Sequence, residues 1–321
     1  MNFAEGMRSI FMAKKITMNK CSGKTFEEVY AAFITSKTAK GVSDVTIRNY
    51  HQNLHNISLH FDISTPFDTL TKEMLDEMVV SMRKAGLAHN TIATYVRQLR
   101  TFLNWCNVEG ITTLTLPNMK EKETVKETYT DEELARLLKK PGRDCGFCEY
   151  RAWVIVNFLL NSGCRAATVR NIQNRDVDLQ ARQIILRHTK VGKIQVIPLC
   201  SLMVSILQDY MEIRGGVEED YLFCDQYGGM LSENALRLAI ATYNQRRGVQ
   251  KTSIHLFRHT FARKYLVDCG GNAFTLQKLM GHSTLKTTKI YCNIFDADIA
   301  KNYDTFSPLA QISRPKERIR K

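Results

Sequence analysis

Residues 183–199 read Gln-Ile-Ile-Leu-Arg-His-Thr-Lys-Val-Gly-Lys-Ile-Gln-Val-Ile-Pro-Leu. Two short runs rich in β-branched residues, Gln183–Leu186 and Ile194–Leu199, flank the polar segment Thr189–Lys193, which contains Gly192. Such a pattern predicts an antiparallel hairpin with Lys190 at its tip. Outside it the apolar residues recur at helical spacing. Upstream, Thr130-Asp131-Glu132-Glu133 has the form of a capping box, in which the threonine side chain and the glutamate satisfy each other's backbone N–H groups. Helices are expected near 131–140, 150–162, 202–213, 233–246 (Ser232 as N-cap), 256–267 and 274–281. The expectation is a mostly helical domain carrying one small antiparallel sheet.

Further upstream the composition changes. Between Leu116 and Thr128, Pro117 is followed by Lys120, Glu121, Lys122, Glu123, Lys126 and Glu127, with little to bury, which is the signature of a linker. Before it lie four amphipathic segments. Thr25-Phe26-Glu27-Glu28 opens the first, with Ala31, Ala32 and Phe33, and Gly41 closes it. Ser43 starts the second, with Ile47, Tyr50, Leu54, Ile57 and Phe61 on one face. Thr71 to Gly86 and Asn90 to Gly110 supply the third and fourth. Four short helices with short joints make a compact helical domain. Its basic residues Lys37, Lys40, Arg48, Arg97 and Arg100 fall on the expected polar faces, where each singly is ordinary solvated surface. The organisation expected is a flexible basic arm over 1–24, a helical domain over 25–112, a linker over 113–129, a second domain over 130–300 and a C-terminal tail over 301–321, basic from Arg314 to Lys321.

Apolar residues are 44% of the chain and charged residues 24%, a globular balance that excludes wholesale disorder. The charge balance is not average: 45 Lys and Arg face 32 Asp and Glu, a net +13. A surplus of that size favours a polyanionic partner, because neutralising phosphates releases condensed counterions. Nucleic acid and an anionic membrane surface both fit that reading. The nine cysteines are odd in number, and several sit in apolar surroundings, as Cys106 does after Trp105. They read as reduced thiols of a cytoplasmic protein. Cys145 and Cys148 form one C-x-x-C without a second pair at zinc-finger spacing, so no metal or cofactor is expected. No window approaches the ~18 apolar residues of a membrane span.

Five features can carry chemistry. Arg165 follows Asn161-Ser162-Gly163-Cys164, just past a buried helix, and Lys190 tips the hairpin. His255 and Arg258 stand one helical turn apart, which places them on one face. His282 follows Leu279-Met280-Gly281, and Tyr291 comes nine residues later. Singly, each has a plain structural reading: a surface arginine, a solvated lysine, a helix start, a core histidine, one of 12 tyrosines. Their order and spacing do not.

Together these residues resemble the tyrosine recombinases, the phage integrase and Xer-type family. Ser162-Gly163-Cys164-Arg165 is similar to the turn before the family's first arginine, and Ile172, Asp176, Val177 and Asp178 to the lead into its small sheet. His255-Leu256-Phe257-Arg258-His259-Thr260-Phe261-Ala262 matches the H-x-L-R-H-T-F-A box, and Met280-Gly281-His282-Ser283 the L-G-H-S box. Tyr291 stands at the nucleophile's spacing. One position departs: Thr168 occupies the place, three after the first arginine, where an acidic residue is common. The resemblance covers 130–300 closely and 25–110 by domain type. It implies a mainly α fold, with an N-terminal four-helix SAM-like core-binding domain and a mostly helical catalytic domain of the DNA breaking-rejoining kind, holding a small antiparallel β-sheet.

The resemblance also implies roles. Arg165 and Arg258 would clamp the non-bridging oxygens of a phosphodiester, which planar guanidinium forks can do bidentately. Tyr291 would attack, with His255 as its base, because an unperturbed phenol is protonated at neutral pH. Lys190 would protonate the leaving 5′ oxygen and His282 would hydrogen-bond the phosphate. The 3′-phosphotyrosine conserves bond energy, so neither metal nor ATP is needed. The implied partners are double-stranded DNA core sites held in a C-shaped clamp, three further copies in a homotetramer, and an accessory DNA-bending or excision factor. His259 is assigned to structure, and the apolar residues after Tyr291 to docking on a neighbouring protomer or on the chain's own core. A type IB topoisomerase-like enzyme, a hairpin-forming resolvase and a catalytically inactive DNA-binding relative stay open. A two-metal nuclease is disfavoured, because no acidic cluster is placed for it.

Overall fold

In the computed structural model, residues 23–121, 127–187 and 194–282 are described, together with 284, 288, 307 and 309. Lys190, Tyr291, the arm over 1–22 and nearly all of the tail lie outside them. The chain divides into two compact units, residues 1–124 and 125–321.

The first unit holds α1 (Phe26–Ala39), α2 (Asp44–Ser58), α3 (Lys72–Lys84) and α4 (His89–Val108). Both halves of the Thr25/Glu28 capping box form, which fixes where α1 begins. The core is aromatic: Phe26, Tyr30 and Phe33, one α1 stripe, close on Phe102 of α4 at centroid separations of 5.3, 4.8 and 5.5 Å. Edge-on and tilted rings of this kind bury large area while keeping favourable quadrupole contacts. Leu75, Met78 and Met82 of α3 and Ile57 of α2 complete the cluster.

The second unit opens with α5 (Asp131–Leu138), whose Thr130/Glu133 capping box is likewise complete. Next come α6 (Phe147–Ser162), α7 (Ala166–Arg170), strands β1 (Val177–Asp178), β2 (Gln183–Leu186) and β3 (Gln195–Pro198), then α8 (Ser201–Arg214), α9 (Glu233–Arg246), α10 (Ile254–Arg263) and α11 (Ala273–Met280). Helix α6 is the spine. Residues Tyr150 to Val156 are all buried, Arg151 among them, its Nη1 donating to the Cys224 carbonyl. Helices α5, α8, α9 and α10 pack around it.

The three strands are antiparallel in the order β1-β2-β3, with Ile184 opposite Ile197 and Leu186 opposite Gln195. Ile184, Leu186 and Ile197 turn inward. The 183–199 stretch therefore pairs as its sequence predicts, and register carries the chain from Leu186 across to Gln195.

Three features differ from the sequence expectation. Strand β1 and helix α7 are too short, at two and five residues, to show a period. Helix α6 starts three residues before 150, from an extended N-cap at Gly146. The helix expected over 256–267 runs instead from Ile254 to Arg263 and then widens into a π turn over Lys264–Asp268. That turn is closed by the Cys269 N–H donating to the Lys264 carbonyl at 2.9 Å, and apolar spacing cannot separate it from the α-helix it continues.

Candidate active site

The first site arginine is delivered by a helix end. Helix α6 stops because Gly163 turns left-handed, at φ 59°, and its N–H closes on the Leu159 carbonyl at 2.9 Å. No side chain would fit here: a Cβ would lie 2.3 Å from Phe261 Cδ1 on α10. Two residues later Arg165 is the extended N-cap of α7, its carbonyl accepting from the Thr168 and Val169 N–H groups at 2.9 and 3.1 Å. The chain reverses twice within a few residues, and Arg165 emerges at the bend. Its guanidinium has no hydrogen-bond or ion-pair partner among the described residues.

The second arginine is held quite differently. Arg258 is buried in α10. Its Nη1 donates to the Gly163 carbonyl, and its Nη2 donates to the Met280 carbonyl at 3.0 Å and to His282 Nε2 at 2.6 Å. These contacts engage both terminal nitrogens of the guanidinium. The neighbouring box residues serve packing. Phe257 lies 4.5 Å from the Tyr129 ring, Thr260 Oγ1 accepts from the Tyr129 N–H, and Phe261 fills the space over Gly163. His255 is exposed in the first turn of α10, whereas Arg258 is buried, so the face that the two share by spacing is only partly sunk in the core.

His282 comes from a second glycine-capped end. Helix α11 terminates at Gly281, φ 60°, and the His282 N–H donates to the Gln277 carbonyl at 3.0 Å. Here a Cβ would meet Gln195 Oε1 at 2.7 Å. Gln195 Nε2 in turn donates to the Lys278 and Leu279 carbonyls, so β3 is tied to the end of α11. His282 Nδ1 pairs with Thr288 Oγ1 at 2.9 Å. Because a guanidinium only donates, Nε2 must accept from Arg258, and the proton of the neutral ring sits on Nδ1. Burial, with Arg258 and Arg165 nearby, pulls the imidazole down to about 4, so it is neutral at physiological pH.

Arg165, Arg258 and His282 meet around one cavity of about 820 Å³, with Cys164 and Thr168 in its floor and Leu186, Val196 and Pro198 of the sheet on its wall. Burial pushes the Cys164 thiol up to about 11 despite the two arginines, leaving it an un-ionised lining residue. Two guanidinium charges beside a neutral ring make a strong anion trap, and Thr168 contributes no carboxylate to offset them. His255 is not among the residues lining the cavity. Lys190 and Tyr291 lie outside the described residues, but β2 and β3, which bracket Lys190, form the cavity's edge. Gln195 and Thr288 were not legible as site residues: the first looks like one strand residue among several, the second like one of many threonines.

A mostly helical unit with a small antiparallel sheet and an arginine-lined anion cavity at two helix ends defines the catalytic unit of a tyrosine recombinase. Comparison with known proteins agrees. The model of the phage integrase family matches residues 127–298, and that of the phage integrase N-terminal SAM-like domain matches residues 33–110. The chain belongs to the phage integrase family. It is 24% identical over 281 residues to tyrosine recombinase XerC of Shewanella amazonensis, covering 85% of this chain and 93% of that protein. It is 25% identical over 305 residues to tyrosine recombinase XerD of Staphylococcus haemolyticus, covering 89% and 100%. Among solved structures, the Tn1549 transposon integrase in complex with transposon right end DNA superposes with a TM-score of 0.71 at 20% identity, covering 88% of this chain and 98% of that one. That likeness is one of fold. Among the described residues no helix is long and apolar enough to cross a membrane.

Proposed function

We propose that this enzyme is a site-specific DNA recombinase that breaks and rejoins DNA strands through a 3′-phosphotyrosine bond to Tyr291, without metal or ATP. The observation that carries the reading is the convergence of Arg165, Arg258 and His282, from three distant stretches of chain, on one cavity. A phosphodiester under attack gathers charge on its non-bridging oxygens. Arg165, whose donors have no partner among the described residues, supplies a fork for them, and Arg258, fixed in place, supplies a preorganised charge that costs no reorganisation in the transition state. His282 donates to a phosphate oxygen, and His255, exposed at the start of α10, takes the phenol proton. Lys190, carried between β2 and β3, gives a proton to the leaving 5′ oxygen. A 5′ hydroxyl of a second strand then reverses the step. The net +13 charge suits a DNA partner. Four copies on two core sites would exchange strands in pairs, with an accessory bending or excision factor setting direction.

The test uses a duplex recovered by selection from random sequence, nicked beside the cleavage position so that religation is blocked, and incubated in EDTA. A covalent protein–DNA adduct is expected from the wild type and none from Tyr291→Phe, with binding retained. Retained binding with no wild-type adduct would reduce the protein to a DNA-binding module. An adduct that survives in Tyr291→Phe would move the nucleophile elsewhere.

A further inference from the structure

We infer that Thr288 is a positioning residue that lets His282 change tautomer between the DNA-free and the phosphate-bound enzyme. The inference rests on the reading above only in taking His282 as a donor to phosphate. Thr288 is fully buried, and its Oγ1 lies 2.9 Å from His282 Nδ1. On the opposite edge of the ring, Nε2 lies 2.6 Å from Arg258 Nη2. In this state Arg258 can only donate, so Nε2 accepts, Nδ1 carries the proton, and Thr288 Oγ1 accepts it.

A ring in that state cannot donate to a phosphate oxygen. For Nε2 to donate, it must carry the proton and Nδ1 must become an acceptor. The imidazole is neutral in both end states: Nε2 takes one proton from solvent and Nδ1 gives one back, so the net charge is unchanged. The buried neighbour of Nδ1 must then reverse its own role, from acceptor to donor. A hydroxyl does this by rotating about its C–O bond. A carboxylate or a carbonyl could serve only the first state, an ammonium or indole only the second. Threonine suits both states without leaving a buried nitrogen unpaired in either. When phosphate enters, Arg258 Nη2 is released from His282 towards the anion while its bond to the Met280 carbonyl keeps the guanidinium in place. The clamp and the histidine therefore rearm together, and the hydroxyl that permits it stands three residues before Tyr291.

The test is ¹⁵N NMR of the histidine rings in the full-length protein, with His282→Gln used to assign the signal. In the free protein, His282 is expected as the Nδ1–H tautomer. With inorganic phosphate added until the spectrum stops changing, it is expected as the Nε2–H tautomer. An Nε2–H ring in the free protein, an Nδ1–H ring that persists at saturation, or a spectrum that phosphate leaves unmoved would each overturn the proposal. None of these outcomes depends on cleavage, so they leave the phosphotyrosine chemistry to its own assay. As a second arm, Thr288→Ser should keep both the tautomer change and single-turnover cleavage of the selected duplex. Thr288→Val, nearly the same shape without the hydroxyl, should keep DNA binding but slow cleavage roughly 10–100-fold. Equal cleavage by the valine and serine variants would refute the role, and a valine variant that failed to fold would leave the serine and wild-type spectra to decide.

Discussion

Two helix ends build the cavity, and they look alike until their neighbours are compared. Helices α6 and α11 both stop at a left-handed glycine, Gly163 at φ 59° and Gly281 at φ 60°, and each presents a site residue within two positions. Gly163 is covered by the Phe261 ring, and its carbonyl accepts from Arg258. At Gly281 the nearest atoms to a Cβ belong to the end of the Gln195 side chain. What emerges also differs. Arg165 leaves the first end without a protein partner among the described residues, while His282 leaves the second engaged on both ring nitrogens. One end packs against a ring and delivers a charge with no partner among the described residues; the other meets a side-chain amide and delivers a residue committed to neighbours. A site that must hold one arginine still and offer another to a ligand needs both kinds.

The comparison can be sharpened by removing what each end delivers. Arg165→Ala should cut single-turnover cleavage about a thousandfold, the scale of a lost transition-state donor, and leave the urea midpoint of the second unit unmoved. His282→Ala should move that midpoint, because Arg258 and Thr288 lose a buried partner worth about 1–3 kcal/mol. If Arg165→Ala proves the more destabilising, the assignment of the two roles is reversed.

The glycines come next. Gly163→Ala combines left-handed strain of about 1–2 kcal/mol with a clash against a packed ring costing about 1–3 kcal/mol. A loss of roughly 2–5 kcal/mol is expected in urea unfolding, partly relieved by Phe261→Leu. Gly281→Ala should cost only about 1–2 kcal/mol, since a glutamine end can turn aside. Equal losses would erase the distinction between the ends.

A further effect is in acid. The folded protein holds His282 well below its ordinary value, at about 4, so between pH 6.5 and 4 the unfolded chain binds the proton that the folded chain refuses. Stability is unaffected by this group above pH 6.5, falls as pH drops through that window, and levels off below it. Urea midpoints of the wild type against His282→Gln should diverge across this range, and parallel curves would show the ring to be ordinary.

Much of this was legible in the chain. Gly163 and Gly281 announce helix ends, and the capping boxes at Thr25 and Thr130 announce starts, because caps are local chemistry. The two paired strands followed from two β-branched runs, whereas their register did not. The box His255–Ala262 pointed to Arg258, yet only coordinates show that Phe257, Thr260 and Phe261 in the same box serve packing. Gln195 and Thr288 carried no signal, since their work is a single contact to a residue distant in the fold or across a turn.

Sequence alone determined the longer helices, the two capping boxes, the basic surplus and the identities of the groups able to hold a phosphate, because each of these depends on a residue and its near neighbours. Tertiary structure decided which of those groups is committed and which has no partner among the described residues. Partnership between Arg258, the Gly163 carbonyl and His282 depends on α6, α10 and α11 meeting, and a hydrogen bond between residues far apart in the chain leaves no periodicity to read.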